Sequence, residues 1–178
     1  MTACTDPGVR AVKMGKDEPR HTVLFVCTGN TCRSPMAAAL YNQLNAPREV
    51  CSACADAVDG RNVKALSAGL YATEGDPITP RAAEALQEAG VYPTPDNDYI
   101  AHRAQNVTEA LMERADLVVG ISGRHTMELM MRFPEHAEKI VALPMDIADP
   151  FGRGIEAYRA CLMQLRICLH LMQTGDDV

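Results

Sequence analysis

The chain has 178 residues, 47% of them hydrophobic and 22% charged, with a formal net charge of −6. That length fits one domain of ordinary size, which can bury a core without disulfides or metal. The acidic balance argues against a general nucleic-acid binder, which needs a basic stripe, and no apolar run approaches the ~20 residues of a membrane span.

In chain order, residues 1–20 carry Asp6, Arg10, Lys13, Lys16, Asp17, Glu18 and Arg20 among few large apolar residues. They lack the apolar core of a signal peptide and are expected to form a flexible N-terminal extension, with the folded domain over 21–174 and a cytoplasmic location. Seven cysteines without an export signal argue against a disulfide framework. Residues 22–26, Thr-Val-Leu-Phe-Val, form a continuous apolar run of the kind buried in parallel sheets. Gly29 and Asn30 then mark a loop, and a helix is predicted over 35–44, with Ser34 at its N-cap and Pro35 at its first position.

Residues 45–62 read as a loop or insertion. Their single Cys51-Ser-Ala-Cys54 pair has no second half with zinc-site spacing, so no metal is expected. A second strand is predicted over 63–67, and Thr79-Pro80 opens a helix that stops at Gly90. A helix from Asn106 to Arg114, a strand over 116–121, a helix over 122–132 and a strand over 139–143 follow. A last helix over about 154–172 has Ile155, Tyr158, Leu162, Leu165, Leu169 and Met172 on one face, with Cys161 and Cys168 expected in the core. Four apolar strands alternating with helices are the sequence form of an α/β fold, a four-stranded parallel sheet flanked by helices. In such sheets ligands bind at the carboxyl ends of the strands. Residues 27–34 lie at that end of the first strand and Asp149 at that end of the fourth.

The segment Cys27-Thr28-Gly29-Asn30-Thr31-Cys32-Arg33-Ser34 carries the chemistry. A short loop entering a helix N-terminus turns its N–H groups inward as an anion nest. Arg33 adds a planar fork matched to two phosphate oxygens. Such surroundings favour the thiolate of Cys27, placed for in-line attack on a bound phosphoryl group. Ser34 is expected to donate to the Cys27 sulfur. Asp149, in Asp149-Pro150-Phe151-Gly152, is the candidate proton donor for the leaving group, with Asp146 and Asp76 as weaker competitors. His102 and His125 stand isolated, and His102 is expected to have a surface or packing role.

This loop, with Val-Leu-Phe-Val before it and Pro-Met-Ala after it, resembles the signature of low-molecular-weight protein tyrosine phosphatases. Ser67-Ala68-Gly69, Ala115-Asp116-Leu117-Val118-Val119 and Asp149-Pro150-Phe151-Gly152 extend the resemblance over roughly 22–172. It implies a Rossmann-like phosphotyrosine phosphatase I fold, Cys27 as nucleophile, Arg33 on the phosphate, Asp149 as general acid and then base, and no cofactor. It also implies that Asn30 and Ser67 together hold the loop shape, and that the substrates are phosphorylated proteins. Thr31 stands where tyrosine phosphatases of the family carry a larger aliphatic residue. With Phe151-Gly152 it resembles the bacterial protein-arginine phosphatase branch, in which that hydroxyl helps orient the attacking water. Phe151 and Tyr71 are the candidate pocket walls. Cys32 either fills space or pairs reversibly with Cys27 under oxidation. The alternatives are a tyrosine phosphatase, an arsenate reductase, whose two relay cysteines this chain does not have between Cys54 and Cys161, and a non-catalytic phosphate-binding module.

Overall fold

The computed structural model describes residues 21–46 and 63–174. Cys4, Cys51, Cys54, the 1–20 extension and most of the expected insertion lie outside the described residues. Four strands, β1 (His21–Cys27), β2 (Val63–Gly69), β3 (Leu117–Gly120) and β4 (Ile140–Ala142), form one parallel sheet in the order β2-β1-β3-β4. The helices are α1 (Arg33–Leu44), α2 (Pro80–Glu88), α3 (Glu109–Arg114), α4 (Gly123–Arg132) and α5 (Ile155–Thr174). A 3-10 turn over Pro134–Lys139, absent from the sequence expectation, leads into β4. Its Pro134 has no amide hydrogen to continue α4.

Alternation along the central strand divides the core in two. Val23, Phe25 and Cys27 face one cluster with residues of α1, α2 and α5, whereas Leu24 and Val26 face a second with Leu111 and Met112 of α3 and Leu129 of α4. All five residues 23–27 are buried, as a two-sided parallel strand requires. On α5 the buried stripe is Tyr158, Cys161, Leu162, Leu165, Cys168 and Leu169, so both helix cysteines lie in the core.

The start of α1 differs with consequence. Helix α1 begins at Arg33 with Cys32 at its N-cap, so Ser34 is not the cap and Pro35 is the third helical residue. Pro35 still sits in the first turn, where amides have no intrahelical acceptor. The Ser34 hydroxyl is used elsewhere, as described below. By contrast Thr79 and Thr108 are the N-caps of α2 and α3, and the Thr108 hydroxyl accepts from Leu111 N at 3.3 Å.

The sheet order places a topological switch at β1. Its neighbours β2 and β3 lie on opposite sides, and the loops after β1 and β3 diverge from adjacent strand ends. Register pairs Cys27 with Gly69 of β2 and Val26 with Gly120 of β3. Residues 27–34 are thereby brought beside Gly69–Tyr71 on one side and residues 121–125 on the other.

Candidate active site

A cleft of about 440 Å³ opens at the carboxyl ends of the strands. Cys27 through Arg33 form its floor, and Tyr71, Asp76, Thr79, Asp149 and Phe151 are among its walls. Cys27, the last residue of β1, is buried. Its Sγ accepts from Asn30 N at 3.3 Å and lies 3.0 Å from Ser34 Oγ. The sulfur is therefore held by a donating backbone amide and by a hydroxyl of the same loop, whose single proton lies between Cys27 Sγ and Ala68 O.

Loop shape depends on Asn30, the only non-glycine residue with positive φ (56°) among the described residues. Asparagine tolerates this region better than most residues. Here every polar group of Asn30 is engaged. Nδ2 donates to Ser34 Oγ (2.9 Å) and Ser67 Oγ (3.0 Å), and Oδ1 accepts from Gln105 N (3.0 Å). Its carbonyl meets His102 Nε2 at 2.7 Å. Ser34 Oγ in turn donates to Ala68 O at 3.2 Å. The expected contact between Asn30 and Ser67 is thus present, and a fully satisfied buried network holds the αL residue in place.

Arg33 opens α1 with its side chain buried. Nη2 donates to Asp149 Oδ2 at 2.5 Å and to Thr28 Oγ1 at 3.5 Å, and Nη1 donates to Ile147 O at 3.4 Å. Asp149 is half-exposed. Its other oxygen accepts from Phe151 N at 3.1 Å, an Asx turn stiffened by Pro150. Cys27, Arg33 and Asp149, separated by 116 residues between the last two, therefore meet in one cleft. Asp146 does not join them. Its Oδ1 accepts from Gly123 N at 2.8 Å, at the N-terminus of α4. Asp76 lines the cleft wall.

Tyr71 and Phe151 are both exposed at the cleft wall. The guanidinium of Arg132 lies 4.5 Å from the Tyr71 ring centroid and donates to Leu70 O, so α4 braces that wall. Thr31 is half-buried in the floor, its Oγ1 3.7 Å from Cys32 Sγ. Cys32 Sγ faces Thr79 Oγ1 (3.3 Å) and Tyr158 OH (3.6 Å), contacts toward α2 and α5.

Both histidines read as isolated touch this loop. His102 contacts Asn30 as above, a packing role, within the expectation of a surface or packing residue. His125 Nε2 lies 3.0 Å from Thr28 Oγ1, and Nδ1 lies 2.8 Å from Ser122 Oγ. Burial pushes the His125 ring down to about 4, with the Arg33 and Arg124 charges acting in the same direction. Burial also lowers His102. No short-range motif marks either residue, which lie 72 and 97 positions from their loop partners. The signal for His125 is topological: a residue in the first turn after β3 must lie near the loop after β1, because those strands are neighbours.

Among the described residues, the one cluster of metal-ligand type is Glu109, Glu135 and His136, where His136 already pairs with Glu109. It belongs to α3 and the 3-10 turn, not to the cleft lining.

The low molecular weight phosphotyrosine protein phosphatase model matches residues 22–174. A protein-arginine-phosphatase of Bacillus subtilis is 37% identical over 144 residues, 77% of this chain and 84% of that protein. One from Geobacillus stearothermophilus is 36% identical, covering 82% and 88% respectively. The solved YwlE arginine phosphatase from Geobacillus stearothermophilus superposes with a TM-score of 0.69, at 34% identity over 87% of this chain and 94% of that one.

Proposed function

The chain belongs to the low molecular weight phosphotyrosine protein phosphatase family and is a cysteine-dependent phosphatase; from that premise we propose that it dephosphorylates phosphoarginine on proteins through a cysteinyl-phosphate intermediate. The observation that carries the reading is the convergence on one cleft of the Cys27 sulfur, the Arg33 fork and the Asp149 carboxylate.

In this reading the loop amides and Arg33 bind the phosphoryl oxygens, whose charge is spread over the equatorial positions in the transition state. Cys27 thiolate attacks phosphorus in line as the bond from phosphorus to the guanidino nitrogen breaks. Asp149, released from Arg33, gives its proton to that nitrogen, so arginine leaves as the free guanidinium. Ser34 Oγ, 3.0 Å from the sulfur, stabilises the thiolate when it departs in the second step. In that step Asp149 takes a proton from water, the water oxygen bonds to phosphorus, and the bond from sulfur to phosphorus breaks to give inorganic phosphate and Cys27 thiolate. Thr31 Oγ1, in the cleft floor, is the group assigned to orient that water.

Support for the arginine substrate comes from the two protein-arginine-phosphatase relatives, from Thr31, and from an acidic cleft wall in which Asp149 can bind as well as protonate a guanidino group. One observation favours phosphotyrosine as a second reading. The exposed rings of Tyr71 and Phe151 flank the cleft and could sandwich an aromatic side chain.

Turnover of matched phosphoarginine and phosphotyrosine peptides decides between them. The expected outcome is a higher kcat/KM on phosphoarginine, with Thr31→Ile shifting the ratio toward phosphotyrosine by roughly tenfold, about 1.4 kcal/mol of differential transition-state binding. A parent preference for phosphotyrosine overturns the arginine assignment. Cys27→Ser should abolish turnover of both peptides. Asp149→Asn should slow it by about 10²–10⁴, the range for general acid catalysis.

A further inference from the structure

His125 is buried, uses both ring nitrogens, and has no part in the mechanism above. Its position follows from two elements. Ser122 is the N-cap of α4, yet its side chain makes no capping bond; its Oγ points instead to His125 Nδ1 at 2.8 Å. Asp146 Oδ1 accepts from the first-turn amide of Gly123. That leaves the Ser122 hydroxyl free to fix the imidazole plane, and Nε2 then reaches Thr28 Oγ1 at 3.0 Å.

Thr28 directly follows the nucleophile. Its carbonyl accepts from Tyr71 N at 2.9 Å, so its backbone is tied to the cleft wall. Among the described residues, its hydroxyl is one of two side-chain groups that Arg33 Nη2 donates to, the other being Asp149 Oδ2. This distinction matters during turnover. Asp149 must swing from Arg33 to the leaving group, and Thr28 Oγ1 is then the side-chain acceptor still holding Nη2. A neutral imidazole suits this task. With Nε2 accepting the Thr28 hydroxyl proton, the Thr28 oxygen keeps its lone pairs for the guanidinium. Burial and the adjacent Arg33 charge both disfavour the imidazolium, which would place a second cation beside Arg33.

We propose that His125 is a positioning residue: held by Ser122, it fixes the Thr28 hydroxyl and thereby keeps the Arg33 guanidinium aimed at the phosphoryl site when Asp149 leaves it. The role of Asp149 rests on the phosphatase reading above, but the contacts of His125 do not. The chain of contacts runs Ser122–His125–Thr28–Arg33 and couples the N-terminus of α4 to the phosphate fork.

The test compares the parent chain with His125→Ala, His125→Gln, Thr28→Val and the His125→Ala/Thr28→Val double variant. Phosphate affinity is read from the protection that inorganic phosphate gives Cys27 against iodoacetate. The steady-state constants are measured on p-nitrophenyl phosphate, and thermal midpoints are recorded alongside. Losing one net hydrogen bond at the fork should weaken phosphate binding about fivefold in both His125→Ala and Thr28→Val, with no further loss in the double variant. The Gln variant, whose amide reaches Thr28, should stay within about twofold of the parent, a difference smaller than a single hydrogen bond. The kcat should fall in addition to the loss of phosphate affinity, because the Thr28 contact gains further importance once Asp149 has moved to the leaving group.

Phosphate affinity equal to the parent's in Thr28→Val or in a folded His125→Ala overturns the proposal, even where the thermal midpoint falls. So do losses that multiply in the double variant, and a Gln variant as impaired as Ala. Should His125→Ala fail to fold, Thr28→Val and His125→Gln still decide the matter. Protection from alkylation requires no turnover, so a parent inactive on phosphoarginine would defeat the substrate assignment without touching this test.

Discussion

His125 and the buried cysteines show how much a single residue's behaviour depends on what surrounds it. With its ring pushed down to about 4 by burial and by Arg33, His125 takes up a proton more readily in the unfolded chain than in the folded one. Stability from this group is fully present above the ordinary histidine value of about 6.5 and is lost as pH falls from there toward 4. His102 acts with the same sign. Denaturant midpoints measured between pH 7 and pH 4 should therefore fall, and His125→Gln should flatten that dependence by about 3 kcal/mol, the linkage value of a shift of this order. An equal slope in parent and variant would contradict the burial of the neutral ring. Burial acts the other way on thiols. It pushes Cys161 up to about 12 and raises Cys168, so neither supplies thiolate at neutral pH. Peptide-resolved mass spectrometry after iodoacetamide treatment of the folded chain should find Cys161 and Cys168 unmodified. Cys32 lies against Thr79 and Tyr158, while Cys27 lies against Asn30 and Ser34. A bond between the two sulfurs would draw Cys32 from its contacts. Peroxide inactivation should be less reversible in Cys32→Ser than in the parent, measured as activity regained with dithiothreitol; equal recovery would remove any protective role for Cys32.

At the scale of elements, the site is set by how closely the strand ends approach the loop. Gly69 closes β2 beside Cys27, and a Cβ there would lie 2.6 Å from Thr28 O and 3.1 Å from Asn30 N. Both are backbone atoms of the phosphate loop and cannot rotate aside. Gly69→Ala should therefore displace the loop itself, costing roughly 1–3 kcal/mol in stability, the range for overpacking. Activity should fall more steeply than the denaturant midpoint implies. A variant that loses stability alone would show that the loop absorbs the strain. Gly120 plays the matching part at the end of β3. A Cβ there would meet Thr126 Oγ1 and lie 2.7 Å from Thr126 N, so substitution would push the first turn of α4, which carries His125. Two glycines of different strands thus allow the two strand-end contacts that flank the same loop. Helix α1 was placed correctly from sequence, but its start was not. Ser34 has the composition of a cap and instead serves Cys27, Asn30 and Ala68, a choice decided by neighbours 33 and 34 positions away in β2.

For the molecule as a whole, all four strands and five helices of the described residues were legible from apolar runs and cap signals, because each element announces its buried face locally. We propose a folded domain over 21–174, which truncation tests. A chain beginning at residue 21 is expected to keep the parent's thermal midpoint and its turnover of p-nitrophenyl phosphate; a lowered midpoint would assign residues 1–20 a part in the fold. The proposed nucleophile and phosphate fork were nameable for the same local reason: Cys27 and Arg33 share one loop between one strand and one helix, and Asp149 follows another strand. The rest is long-range. The sheet order β2-β1-β3-β4 was not written in any segment; it brings Ser67 and His125 to the loop, and the pairing of Gly69 with Asn106 brings His102 there. Sequence by itself determined the elements and the chemical groups, since periodicity, capping and loop composition act over a few residues. Only the tertiary structure decided which distant side chains hold the Cys27–Ser34 loop in shape, since hydrogen bonds between strand-end loops depend on which strands are neighbours.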